Sequence, residues 1–278
     1  MQSKHVLVIG GTGKTGRKVV SLLQTKGHKV RVGSRSASPS FDWHQPEHWA
    51  AALADVDTVY ITYQPDLAVP GAKEAVTLLC DKAKEVGVEK LVLLSGRGEE
   101  EAQACEQIVA DAGLKWAVVR CDWFNQNFSE SFFLEPVLAG HVALPMADIP
   151  IPFVDTDDIA EVAVELIVRD EFDGQVWELT GPRLLSLRQA VAEIAEETGR
   201  DIQFQPISLE TYVGFMEQQQ IPASYIWLIN YLFSQVLDGR NAHLAEGVQQ
   251  VLGRKPKDFR EYARETAASG VWNVSIGV

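Results

Sequence analysis

The chain has 278 residues, with 25 Lys and Arg against 38 Asp and Glu and a formal net charge of −13. A strongly acidic surface repels phosphate backbones, so the charge argues against a nucleic-acid-binding protein. Hydrophobic residues make up 46% and charged residues 23%, which excludes a disordered chain and predicts a sizeable folded core.

The cysteines and histidines indicate neither disulfides nor a metal site. Cys80, Cys105 and Cys121 show no C-x-x-C spacing, so we expect reduced thiols. The first apolar run is short and ends at a glycine loop, and no stretch reaches the length of a membrane span. We therefore expect a cytoplasmic protein with no membrane partner.

The first 120 residues alternate buried-type strands with amphipathic helices, which is typical of a parallel sheet covered by helices. Right-handed crossovers would make these steps one doubly wound, Rossmann-type α/β sheet. The predicted strands are His5–Ile9, Lys29–Val32, Thr58–Thr62, Lys90–Leu94 and Trp116–Arg120, and the predicted helices are Lys14–Lys26, Trp49–Ala54, Gly71–Val86 and Glu99–Ala112.

A glycine-rich loop lies between the first strand and the first helix. Gly10, Gly13 and Gly16 fit the dinucleotide-binding spacing, in which glycines let the backbone approach a pyrophosphate at a helix N-terminus. We predict cofactor contacts from these glycines and from the intervening Thr12, Lys14 and Thr15. Gly13-Lys14-Thr15 also resembles the end of a nucleotide-triphosphate P-loop, but that motif needs a glycine where this chain has Val8.

The end of the second strand carries a cation where NAD-binding proteins place a carboxylate. Ser34 and Arg35 follow the strand, and no acidic residue occurs before Asp42. A guanidinium can pair with the 2′-phosphate of NADP(H), so this cofactor is favoured over NAD(H). The alternative is that Arg35 is only a solvated loop cation.

The regular alternation ends near Phe124. An aromatic-rich stretch, Phe124–Leu134, and a loop-like stretch, Ala139–Phe153, come first. Further predicted elements are a helix beginning at Ile159 after Asp155–Asp158, a strand Val176–Leu179, a helix Ser186–Thr198, a strand Ile202–Pro206 and a mostly helical tail, Leu209–Ala267. We expect residues 1–150 to form the nucleotide-binding core, with 151–180 returning to it, and residues 181–278 to form a smaller, mainly helical cap on the substrate side.

Several segments together resemble the NmrA-like family of atypical short-chain dehydrogenases/reductases. They are the glycine loop, Arg35, Arg120–Phe128, Pro152–Val162, Glu178–Pro182 and Val251–Arg254, and the resemblance spans nearly the whole chain. It is greatest to the branch with NAD(P)H azoreductases, type 2 quinone reductases and ergot-alkaloid iminium reductases. Members often carry Arg-Pro where this chain has Arg120-Cys121.

The Tyr-x-x-x-Lys pair of ordinary short-chain dehydrogenases is absent. The residues four positions after the six tyrosines are Gln64, Leu67, Met216, Ile229, Gln235 and Thr266. That pair normally supplies a proton to a carbonyl oxygen, so alcohol–ketone interconversion is not expected. Direct hydride transfer to an electron-poor quinone, azo compound or imine needs less help from an enzymic acid.

The resemblance also implies the remaining site residues. Cofactor contacts are expected from Thr62, Tyr63, Gln64, Ser95, Gly96, Arg97, Phe124 and Asn127, and a substrate pocket from Trp123, Gln126, Phe153, Tyr225 and Trp227. Ser95 and Asp122 are the candidate catalytic residues. Each assignment has a structural alternative, because a serine at a strand end often caps a turn, a carboxylate often orders a loop, and aromatic residues at helical spacing usually lie in a core.

The family resemblance leaves two functions open. One is a reductase acting on a small planar organic acceptor. The other is a redox-sensing regulator that binds NADP(H), catalyses nothing and acts through a partner protein. The helix predicted at Gly71–Val86 is also a candidate homodimer contact.

Overall fold

The computed structural model describes residues 3–274, which form two compact units. The first unit contains the described residues up to Cys121 together with Thr156–Leu179 and Glu246–Arg254. The second contains Asp122–Asp155, Thr180–Ala245 and the described residues from Lys255 onward. Among residues 3–274, no helix is both long enough and apolar enough to cross a membrane.

The first unit is built on a six-stranded, fully parallel sheet. Its strands are β1 (His5–Ile9), β2 (Lys29–Gly33), β3 (Thr58–Ile61), β4 (Lys90–Gly96), β5 (Lys115–Cys121) and β7 (Gln175–Leu179). The strand order β2-β1-β3-β4-β5-β7 places β1 between β2 and β3. The expected Rossmann-type α/β architecture is therefore confirmed.

Helices cover this sheet because its inner strands are buried, as in β1 and β3, where every residue is buried. The helices are α1 (Gly16–Thr25), α2 (Trp49–Leu53), α3 (Ala72–Glu85), α4 (Glu100–Asp111), α7 (Thr156–Val168) and α11 (Gly247–Leu252). On α1, buried Val19 and Leu23 recur at a spacing of one helical turn. The first unit thus buries apolar helix faces against apolar strands.

The second unit combines a small parallel sheet with helices. Its strands are β6 (His141–Leu144) and β8 (Gln203–Pro206), and its helices are α5 (Asn127–Glu130), α6 (Leu134–Leu138), α8 (Leu187–Thr198), α9 (Leu209–Gln218), α10 (Ala223–Tyr231) and α12 (Phe259–Ser269). A short π-helical segment, Leu232–Val236, follows α10. Phe128, Phe153 and Phe259 pack ring against ring in its core, with centroids 5.5–5.7 Å apart.

Two parts of the expected domain organisation need correction. The first segment of the first unit ends at Cys121 and not near residue 150, and Glu246–Arg254 belongs to this unit and not to the C-terminal cap. A hydrogen bond links Glu246–Arg254 to α7: Arg254 Nη1 donates to the fully buried Asp158 carboxylate at 2.7 Å. In addition, α7 begins three residues before Ile159, and the stretch expected to be loop-like contains β6.

Candidate dinucleotide-binding site

The loop between β1 and α1 has the geometry that a glycine-rich phosphate loop requires. Gly10 adopts a φ of +69°, and its N–H donates to the Gly33 carbonyl at 2.9 Å. A Cβ atom on Gly16 would lie 2.1 Å from the Gly10 carbonyl oxygen. Glycine at both positions is therefore a condition of the fold itself.

Gly13 differs from its two partners. The one atom within 4 Å of a Cβ added to Gly13 would be the Gly10 carbonyl oxygen, at 3.2 Å. The φ angle of Gly13 is not positive. Gly13 and the neighbouring Thr12 are both exposed. A Cβ atom at Gly13 would therefore meet fewer atoms than one at Gly16, and Gly13 lies at the surface of the loop.

The other loop residues face inward to different degrees. Thr15 is buried and precedes α1, and the buried Tyr60 hydroxyl lies 3.4 Å from the Thr15 hydroxyl, to which it donates. Burial raises the pKa of Tyr60 far above its ordinary value, so this phenol stays protonated. Lys14 is half-buried.

The loop after β2 lies next to the glycine loop, because Ile9 and Gly33 are paired at the carboxyl ends of their strands. The Ser34 carbonyl accepts N–H bonds from Ala37 at 3.2 Å and from Phe41 at 2.9 Å. Arg35 is exposed in this closed turn. The structure therefore places an exposed Arg35 on the turn after β2, which follows the strand paired with β1.

The residues that follow β3 complete the same edge of the sheet. The Thr62 hydroxyl donates to the Ile9 carbonyl at 3.0 Å, which fixes it against the glycine loop. Tyr63 is half-buried with its ring centroid 4.7 Å from that of Trp43, and Gln64 is exposed. Trp43 is not among the predicted site residues. The one feature of the sequence that could have indicated it is an aromatic residue in the loop that follows β2.

Ser95, at the end of β4, is committed to a buried ionic network. Its hydroxyl donates to Glu106 at 2.6 Å, and Arg120 Nε donates to the same carboxylate at 2.9 Å. Arg120 Nη1 also reaches Glu178 at 2.8 Å. These carboxylates raise the pKa of the Arg120 guanidinium further above its ordinary value, so Arg120 keeps its charge.

The two residues after Ser95 have structural contacts as well. The buried Arg97 donates its backbone N–H to the Cys121 carbonyl at 2.9 Å, and its side-chain Nε lies 3.4 Å from Glu178. A Cβ on Gly96 would lie 2.1 Å from the Glu99 carboxylate. The end of β4 is thus tied to β5, β7 and the start of α4.

A pair of carboxyl groups, Asp66 and Glu99, lies where the chain leaves β3 and β4. The two groups are hydrogen-bonded to each other, and burial raises the pKa of Asp66 above its ordinary value. Asp66 Oδ1 also accepts the Ala68 N–H at 2.8 Å. The Asp66 carboxyl therefore keeps its proton to a higher pH than a free carboxyl group does.

Replacing Asp66 by asparagine is expected to raise the free energy of unfolding, and the gain should grow with pH. The raised folded-state pKa means that the native chain holds this proton more tightly than the unfolded chain does. That stabilisation is complete below the ordinary carboxyl pKa and is lost as pH rises through the folded value. An amide keeps the Ala68 contact and never ionises.

Thermal unfolding between pH 4 and pH 8 measures the effect. Asp42→Asn is the matched control, because Asp42 Oδ1 accepts the His44 N–H at 2.9 Å in the same kind of turn. The raised pKa of Asp66 would be contradicted if the gain in free energy of unfolding in Asp66→Asn did not change with pH, or if it equalled the gain in Asp42→Asn.

In the second unit, Asp122 and Trp123 line a small open cavity. Asp122 is buried, and one of its carboxylate oxygens accepts the Trp123 N–H at 2.9 Å. The remaining lining is mostly apolar and consists of Ile149, Pro150, Ile151, Pro152, Val236, Leu237, Gly239 and Asn241. The cavity therefore offers apolar walls, an indole and a single carboxylate.

The polar residues after Trp123 are turned towards Asp155. Gln126 Nε2 donates to the fully buried Asp155 carboxylate at 3.0 Å, and Asn125 Nδ2 does so at 3.3 Å. Asn127 is buried, and Phe124 is half-buried and bridged to Val154. These contacts order the stretch on which the predicted nicotinamide neighbours lie.

The five residues predicted to form a substrate pocket occupy different environments. Trp123 lines the cavity, whereas Gln126 is bound to Asp155 and Phe153 lies in the aromatic core at 2% exposure. Tyr225 and Trp227 are 43% and 44% exposed on α10. The structure therefore does not bring the five side chains together around one space.

Together, the parallel sheet, the glycine loop at the end of β1 and the cation after β2 define a dinucleotide-binding protein of the Rossmann class. The chain belongs to the NmrA-like family, whose model matches residues 2–263. This match confirms the resemblance inferred from the motifs.

Curated relatives extend along almost the whole chain. The prestalk A differentiation protein A of Dictyostelium discoideum is 28% identical, over 94% of this chain and 92% of its own length. An NAD(P)H azoreductase of Xenophilus azovorans is 27% identical, over 95% and 98%. Among solved structures, an NADPH-dependent quinone oxidoreductase from Escherichia coli, in complex with NADPH, matches with a TM-score of 0.75 at 18% identity, over 94% of this chain and 99% of that one.

Proposed function

We propose that this NmrA-like protein is an NADPH-dependent reductase that transfers hydride directly to an electron-poor acceptor such as a quinone, an azo compound or an imine. The observation that carries the proposal is an exposed Gly13 after β1 and an exposed Arg35 after the neighbouring strand β2, which suit a pyrophosphate and a 2′-phosphate respectively. The azoreductase among its relatives supports the reaction class.

The chain's contribution to this reaction is binding, orientation and exclusion of water. The cofactor, when bound, supplies the hydride. The glycine loop and the N-terminus of α1 hold the diphosphate, Arg35 and Ser34 hold the 2′-phosphate, and Lys14 adds positive charge. Further contacts are proposed from Thr12, Thr15, Thr62, Tyr63, Gln64, Gly96, Arg97, Phe124 and Asn127.

The class of acceptor is inferred from the side chains that could supply a proton. The Tyr-x-x-x-Lys pair is absent from the sequence, and the Ser95 hydroxyl already donates to Glu106. We therefore propose acceptors that need little enzymic acid. The acceptor that we propose is a small planar organic molecule that contacts Trp123, with Asp122 as a charged neighbour.

The direct test is NADPH oxidation at 340 nm by the purified protein, with a quinone, an azo dye and a cyclic imine offered separately. We expect turnover with at least one of them. Trp123→Ala should raise the KM for that acceptor more than it lowers the affinity for NADPH. NADPH binding without turnover on any acceptor would contradict the reductase.

A second function, a redox-sensing regulator, is favoured by one specific observation. The Dictyostelium relative is named for differentiation and not for a reaction. A sensor would bind NADP(H) without oxidising it and would change its affinity for a protein partner on binding. Cytoplasmic location and a homodimer through the helix at Gly71–Val86 stay predictions under both functions.

A further inference from the structure

Four aromatic rings connect the loop after β2 to the end of β3. We call Phe41, Trp43, Trp49 and Tyr63 the aromatic anchor. The Trp43 ring contacts all three others, with centroids 5.1 Å from Phe41, 5.4 Å from Trp49 and 4.7 Å from Tyr63. Phe41 and Trp49 are also stacked, 5.3 Å apart. Trp43 is therefore the one member in contact with every other member.

Directional hydrogen bonds fix the anchor in place. The Trp43 indole N–H donates to the Thr62 carbonyl at 3.2 Å, and the Trp49 indole N–H donates to the Asp42 carbonyl at 2.7 Å. The Phe41 N–H donates to the Ser34 carbonyl at 2.9 Å. The turn from Ser34 to Phe41 is thereby closed at its base and held against the end of β3.

This turn carries Arg35, which is exposed and forms no ion pair with any residue in the 3–274 range. A cation on a mobile turn loses conformational freedom when it binds a phosphate, and that loss weakens binding. A cation on a turn that is already fixed loses less. The anchor thus lies where it can preorganise Arg35 without touching the phosphate itself.

We propose that Trp43 is a positioning residue that holds the Arg35 turn and so sets the preference of this protein for NADPH over NADH. The proposal rests on the proposed use of NADPH. Trp43 acts through Arg35, so its effect on the preference exists only while Arg35 is present. Phe41 and Trp49 belong to the buried core, at 3% and 1% exposure, whereas Trp43 is half-buried. Trp43 can therefore be varied at a smaller cost to folding than Phe41 or Trp49.

The test is the dissociation constant of NADPH and of NADH, measured by calorimetry, for wild type, Trp43→Leu, Arg35→Ala and the double variant. We expect Trp43→Leu to reduce the NADPH-to-NADH affinity ratio about 2- to 10-fold, in line with the ordering cost of one or two side chains. The double variant should have the same ratio as Arg35→Ala alone, because positioning a residue that is absent has no effect.

Two further variants separate positioning from general damage. Trp116→Leu is the matched control, since Trp116 is a half-buried tryptophan packed against the same core at the amino end of β5. It should lower stability without changing the ratio. Trp43→Phe keeps a ring but loses the N–H donated to Thr62, and it should retain part of the preference; it also replaces the leucine variant in the cycle if that variant does not fold.

The outcomes distinguish this inference from the proposed function. A wild type that prefers NADPH, combined with an unchanged ratio in Trp43→Leu, would overturn the role of Trp43 alone. Effects of Trp43→Leu and Arg35→Ala that simply add would overturn it too. A wild type that binds both cofactors equally would overturn both the inference and the proposed cofactor preference.

Discussion

Replacing Gly13 by valine is expected to weaken NADPH binding by about 100-fold or more while the protein stays folded. The valine side chain would occupy the space that we assign to the pyrophosphate. Each charge-assisted backbone hydrogen bond lost there is worth about 1.5–3 kcal/mol, and about 1.4 kcal/mol corresponds to tenfold in affinity. The measurements are the dissociation constant by calorimetry and the Tm by circular dichroism.

The fold itself supplies the control for this experiment. Gly16→Ala places a Cβ 2.1 Å from the Gly10 carbonyl oxygen, so it should lower Tm as well as binding. Gly13→Val places its Cβ 3.2 Å from the same oxygen, so it should lower Tm less than Gly16→Ala does. If Gly13→Val bound NADPH like the wild type, the glycine loop would not be the pyrophosphate site.

Removing the Arg35 side chain should weaken NADPH binding by roughly 1–3 kcal/mol, or about 5- to 150-fold, and leave NADH binding nearly unchanged. The physical reason is that NADPH alone carries a 2′-phosphate, which an exposed guanidinium can pair with through two parallel hydrogen bonds. Arg35→Lys should recover only part of the loss, since an ammonium lacks the planar fork.

Lys29→Ala serves as the matched control for Arg35→Ala. Lys29 is exposed at the opposite end of β2, so its removal changes the net charge equally without removing a phosphate contact. Added salt should weaken NADPH binding by the wild type more than by Arg35→Ala, because screening weakens exposed charge pairs. Equal losses for NADPH and NADH in Arg35→Ala would end the 2′-phosphate assignment.

The first unit was predictable from its sequence because its signals are local. A continuous apolar run such as His5–Ile9 predicts a strand. The glycine spacing at Gly10, Gly13 and Gly16 predicts the loop and the start of the helix. The return of Glu246–Arg254 to this unit was not predictable. It depends on a long-range pair, Arg254 with Asp158, and on Gly247, where a Cβ would lie 2.3 Å from the Glu178 carbonyl oxygen.

The glycine loop of the candidate site was predictable, because it is defined by the backbone. The hydrogen-bond partners of the polar side chains were not predictable. The sequence identifies Ser95 and Gln126 as polar residues near strand ends. It does not reveal that Glu106 and Asp155 already accept their hydrogen bonds. Trp43 was missed for the related reason that a half-buried aromatic residue in a loop has no periodic pattern to mark it.

The discontinuity of the first unit has a consequence during protein synthesis. At roughly 5–20 residues per second, β5 emerges from a ribosome several seconds before β7, its neighbour in the sheet, and longer before α11. Throughout that interval β5 is an unpaired edge of apolar strand, which is the kind of surface that recruits other chains. Nascent chains of this protein should therefore depend on chaperone protection at this stage, and fragments that end at Cys121 should aggregate.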